Sequence, residues 1–168
     1  MSEASEEVVE YWLNVVKGFF TIRGLKVGNR EIDFLAIKLD GEDPVLGKKA
    51  HVEVHVPAYS RAIGSPYWPP ESQAQRLVER KFDEKHIKAE VAKRLGEDYT
   101  KVLILGSYGR LRPEREARSK LIQELERLGV KVVKFEDVLR DVQEVITTST
   151  YTRPALRMIQ YYKYIPEW

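Results

Sequence analysis

The chain contains no cysteine, so disulfide frameworks, cysteine-ligated zinc, iron–sulfur clusters and thiol nucleophiles are all excluded. It also lacks an apolar run of the roughly 18 residues needed to span a bilayer, which leaves no membrane reading. The acidic opening Ser2-Glu3-Ala4-Ser5-Glu6-Glu7 has no basic n-region of the kind a signal peptide carries, so the expectation is a cytoplasmic protein. No repeat, linker or low-complexity tract interrupts the chain. A net charge of +2 is too small to announce a nucleic-acid partner, so any basic footprint has to be sought in local clusters. Methionine occurs only twice, Asn and Gln are scarce, and 32% of the residues are charged, a profile of proteins from hot environments, archaeal ones among them.

What is present fits one α/β domain over residues 1–168, since 43% hydrophobic content is enough to build one core without covalent staples. Val8, Val9, Trp12, Leu13 and Val16 recur at helical spacing between Glu3 and Lys17. Gly18 ends that helix. Phe19–Leu25, Arg30–Leu39 and Ala50–Val56 read as three strands of a meander, the first two joined by Lys26-Val27-Gly28-Asn29. A loop over 57–70, with Tyr59, Tyr67, Trp68 and several prolines, precedes one long charged helix from about Glu71 to Leu95. Lys101–Leu105 and Val130–Phe135 are apolar runs suited to buried parallel strands, with a helix from Pro113 to Leu128 between them. Helix is expected again from Asp137, and the tail from Thr150 to Trp168 is dense in tyrosine without an evident partner.

The chemistry concentrates on two strands. Alternation puts Glu31, Asp33, Leu35 and Ile37 on one face of the second strand, so Asp33 is a carboxylate set among apolar neighbours. In the third strand His51, Glu53 and His55 share one face, and Val52, Val54 and Val56 the other. A carboxylate buried in this way costs several kcal/mol to desolvate unless a cation, a hydrogen bond or a charge partner compensates. A structural ion pair of Asp33 with Arg23 or Arg30 is the bland alternative to a metal site.

The order helix, strand, turn, strand with Arg30-Glu31-Ile32-Asp33-Phe34-Leu35-Ala36, then strand with Val52-Glu53-Val54-His55, resembles the PD-(D/E)XK nucleases, nearest to their archaeal Holliday-junction-resolvase-like members. The resemblance covers about residues 5–105 and implies a restriction-endonuclease-like αβββαβ core, a mixed sheet flanked by helices, with 106–168 as a C-terminal αβα extension. It implies Asp33 and Glu53 as ligands of Mg²⁺ or Mn²⁺, cleavage of phosphodiester bonds in DNA, structured or damaged DNA among the expected substrates, with RNA as the alternative partner, and dimerisation by analogy.

His55 stands where that family's pattern has lysine. It could act as base or ligand, with His51 as a further ligand favouring a transition metal. Alternatively the lysine role has moved to Lys81, Lys85 or Lys88. Glu7 is the expected helix carboxylate of the resolvase-like pattern, with Glu6 and Glu10 as the other candidates. For nucleic-acid contacts the candidates are Arg110 and Arg112, between a strand end and a helix start, Lys81 and Lys85 on the charged helix, and Tyr67 and Trp68 as stacking groups. Two further readings stand beside the nuclease: a nucleic-acid-binding protein on the same fold that has lost cleavage, and a transition-metal enzyme of another class.

Overall fold

The computed structural model describes residues 3–56, 69–106 and 112–165. Helix α1 spans Glu3–Tyr11 and runs into a π-helical turn, Trp12–Val16, where Lys17 N–H donates to Trp12 O at 2.9 Å. Val8, Val9, Trp12 and Leu13 are buried along one side of this segment, which is why it lies on the sheet. Gly18, at a φ of 72°, turns the chain out of the helix in a conformation that a side chain would resist.

The strands follow as β1 (Phe20–Val27), β2 (Arg30–Ile37), β3 (Lys49–His55), β4 (Thr100–Leu105) and β5 (Val130–Lys134), in the spatial order β1-β2-β3-β4-β5. The β1–β2 and β2–β3 pairs are antiparallel, and the β3–β4 and β4–β5 pairs are parallel. A parallel pair needs a crossover, and helices supply both. α2 (Pro70–Lys81) and α3 (Lys85–Leu95) link β3 to β4, and α4 (Arg112–Arg127) links β4 to β5. α5 (Phe135–Val145) and α6 (Pro154–Tyr164) follow. The protein is therefore α/β, with a five-stranded mixed sheet between helices. Among the described residues no helix is long and apolar enough to cross a membrane.

Alternation along the strands divides the core between the two faces. Phe34, Ala36, Val52, Val54, Val102 and Ile104 pack with Val8, Val9 and Leu13 of the N-terminal helix and with Val138 and Val142 of α5. On the other face, Leu103, Leu105 and Val130 pack with Ala74, Val78 and Phe82 at α2 and with Leu121 and Leu125 of α4. Leu35 on that same side meets Ile87, Val91 and Leu95 of α3.

One expectation is corrected. The charged stretch 71–95 is two helices, because Phe82 turns inward to full burial and the chain restarts at Glu84, whose carboxylate accepts from His86 N–H and Ile87 N–H at 3.0 Å each. The tyrosine-rich tail packs on the N-terminal helix through Leu156, and Tyr151 meets Tyr11 edge-on at 6.0 Å, while the rings of Tyr161, Tyr162 and Tyr164 stay exposed. Arg153 meets Glu10 at 2.6 Å there, and Glu7 Oε2 accepts from Ala155 N–H at 3.2 Å, at the start of α6.

Candidate active site

The ladder between β2 and β3 ends at the Phe34–Val52 pair. Beyond it the backbones part, and two carboxylates take over the hydrogen bonds that the ladder would have made. Glu53 Oε1 accepts from Asp33 N–H at 3.3 Å, and Asp33 Oδ2 accepts from Val54 N–H at 2.8 Å. Asp33 and Glu53 are thereby locked to each other's strand, on the sheet face covered by α2 and α3. Only 1% of Asp33 is exposed, and Glu53 is fully buried.

Lys81, in the last turn of α2, reaches down onto this pair. Its ammonium stands 2.6 Å from Glu53 Oε2 and 3.3 Å from Asp33 Oδ2. The helix break directly after it sets this reach, since Phe82 anchors the end of α2 in the core. One oxygen remains over: Asp33 Oδ1 is buried and has no hydrogen-bond partner among the described residues. Such an orphan is costly and needs a reason.

Burial, with the neighbouring Glu53 charge second, pushes the Asp33 carboxyl up to about 7, against the pull of Lys81 and the Val54 N–H. Glu53 is also raised by burial, although Lys81 opposes it. For Lys81 burial pulls downward, but Glu53 and Asp33 together outweigh it and the net shift is up, so the side chain stays an ammonium.

His51 is fully buried on the same face, with Nε2 2.8 Å from Glu53 Oε1 and its ring edge-on to Phe82 at 4.9 Å. Burial lowers its pKa to about 3, so the imidazole is neutral. With Glu53 as its partner, the single ring proton belongs on Nε2, assigned from the hydrogen bond. His51 then serves as a donor that holds Glu53, and Nδ1 is left without a partner among the described residues. This differs from the ligand role expected for it. His55, half-buried at the end of β3, has its pKa lowered by burial and by Lys81, and its ring makes no hydrogen bond among the described residues.

Of the other expected site residues, the structure brings Lys81 to the carboxylates and leaves Lys85 and Lys88 exposed on α3. Glu7 is engaged at α6, and Glu6 and Glu10 pair with Arg23 at 3.2 and 3.3 Å. The N-terminal helix that carries these three acids packs on the face of Val52 and Val54, opposite Asp33 and Glu53. Arg110, Tyr67 and Trp68, with Tyr59, lie outside the described residues, and Arg112 opens α4. Sequence reasoning missed that Asp33 and Glu53 hold backbone N–H groups of each other's strands. The signal for Lys81 is one of position, a lysine immediately before a core phenylalanine on an otherwise charged helix.

Among the described residues no group of three or more His, Asp or Glu side chains is arranged to hold a metal ion. An open set of two carboxylates is nevertheless what a hard cation such as Mg²⁺ uses when water and substrate phosphates fill the remaining positions. The unpartnered Asp33 Oδ1 fits that donor set. No protein-family model, curated protein or solved structure matches the chain.

Proposed function

We propose that the chain is a divalent-metal-dependent nuclease of the PD-(D/E)XK type that hydrolyses phosphodiester bonds in DNA, with structured or damaged DNA as the expected substrate. The observation that carries this reading is the convergence of Asp33, Glu53 and Lys81 at the point where β2 and β3 part, with one Asp33 oxygen left unpartnered. The element order from α1 to β4, and the run of two antiparallel pairs followed by a parallel one, support it.

Asp33 and Glu53 would hold Mg²⁺ or Mn²⁺. The bound ion supplies neutralisation of phosphate charge and a more acidic water. Lys81 stands in for the lysine that His55 replaces. Because its pKa is raised, it acts as a fixed positive donor toward a phosphate or water oxygen and not as the base. Burial and Lys81 favour the neutral form of His55, and its ring, on the same strand face, makes no hydrogen bond among the described residues, which makes it the group suited to take the proton of the attacking water. His51 holds Glu53 in place from behind.

The test is cleavage of labelled single-stranded, duplex and branched DNA and of RNA, in Mg²⁺ or Mn²⁺, by the protein and by Asp33→Ala and Glu53→Ala. Cleavage abolished in both variants supports the enzyme. Binding without cleavage under either metal would instead give a nucleic-acid-binding protein on this fold.

A further inference from the structure

The acidic residues of this chain are not evenly spread. There are 26 Asp and Glu in 168 residues, yet none falls between Val145 and Ile165. The same stretch contains Arg153, Arg157 and Lys163, together with Tyr151, Tyr161, Tyr162 and Tyr164. Arg153 is committed to Glu10, and Lys163 donates to Glu144 O and Ile146 O at the end of α5. Arg157 is exposed and has no ion-pair partner among the described residues.

Helical spacing sorts α6 into two stripes. Leu156, Ala155 and Ile159 face the core. Arg157, Met158, Tyr161 and Tyr164 face outward and, with Gln160, line an open groove of about 720 Å³. Tyr161 and Tyr162 offer their rings to solvent at 65% and 69% exposure, whereas Tyr164, 49% exposed, has Lys163 Nζ 5.6 Å over its ring and donates its hydroxyl to Ile146 O at 3.3 Å. Exposed tyrosine next to an arginine without an ion-pair partner among the described residues, in a segment that contains no acid, suits a phosphate and an unpaired base together.

We infer that the outward face of α6 is a binding site for single-stranded nucleic acid, with a base stacked on Tyr161 and the backbone phosphate on Arg157, one turn before it. Stacking suits unpaired bases of any sequence, and the cation supplies the backbone attraction. The matching stretch of a second copy has no carboxylate to offer Arg157, whereas a phosphate supplies the anion. The site lies on the side of the N-terminal helix and α5, whereas Asp33 and Glu53 face α2 and α3, so the inference does not depend on the catalytic reading.

The experiment is fluorescence anisotropy with fluorescein-labelled oligothymidine and a duplex of equal length, in EDTA so that no cleavage intervenes. The full chain is compared with Tyr161→Ala, Tyr161→Phe and Arg157→Glu, with light scattering alongside. The expected result is preference for the single strand. Tyr161→Ala should weaken binding by about tenfold or more, Tyr161→Phe should bind nearly as the parent does, and Arg157→Glu should lose binding and flatten its salt dependence. Equal affinity for duplex, unchanged binding by Tyr161→Ala, or a dimer that Tyr161→Ala converts to monomer without any oligonucleotide binding would each overturn the inference.

Discussion

Lys81 Nζ lies 2.6 Å from Glu53 Oε2, so a cation from the end of α2 sits on a carboxylate that β3 buries completely. Removing that cation leaves two acids without their charge partner. Lys81→Met should therefore lower cleavage by about 10²-fold or more. It should also destabilise the metal-free protein by about 3 kcal/mol at pH 8, where both acids are most ionised. Urea denaturation in EDTA checks the second figure, and unchanged stability would show that Lys81 merely rests at the surface of the site.

The pH dependence follows from Asp33, whose pKa rises from 3.8 to about 7 on folding. The folded chain holds this proton more tightly than the unfolded chain does. The contribution is therefore complete below about pH 4 and is lost as the pH climbs through 7. The full swing is at most about 4 kcal/mol. The neutral buried His51, whose pKa falls to about 3, works the other way and favours pH 8 over pH 5, so the Asp33 contribution is read as the difference between the parent and Asp33→Asn, in denaturation of the metal-free proteins at the two pH values. Asp33→Asn keeps an acceptor for Val54 N–H but has nothing to titrate, so from pH 5 to pH 8 the parent should lose stability relative to this variant. A slope from Glu53, which burial also raises, should remain.

His51 is placed to orient Glu53, and His51→Phe keeps an aromatic ring against Phe82 while deleting the donor. Mn²⁺ affinity should fall about 10- to 100-fold, the usual cost of losing a hydrogen bond behind a ligand. Affinity equal to the parent's would mean that strand geometry alone fixes Glu53.

Glu7 provides the contrast. Its carboxylate accepts the Ala155 N–H at the start of α6, so Glu7→Ala should cost about 1 kcal/mol of stability, as the loss of a helix cap does. Cleavage should be unchanged. A large drop in rate with normal stability would return Glu7 to the catalytic group.

That Asp33 and Glu53 share one face could be read from the sequence because strand alternation is local. Asp33 among Leu35 and Ile37, and Glu53 between His51 and His55, needed only the period of two. The role of Lys81 was not legible in the same way. Charged residues on both sides of Phe82 continue the helical pattern, so periodicity does not mark a break, and glutamate is an uncommon residue for the cap that Glu84 makes. The mutual capture of the Asp33 and Val54 N–H groups depends on where two strands diverge, a property of the sheet and not of either strand. What Glu7 contacts was hidden for a similar reason. Its position on the N-terminal helix was clear, but the later packing of α6 against that helix decides what its carboxylate meets.

Calorimetric titration of Mn²⁺ into the metal-free protein at pH 8 tests the shared-cation claim most directly. One ion should bind per chain, with binding lost in both Asp33→Asn and Glu53→Gln. No binding by the parent, or undiminished binding by either variant, would contradict the account.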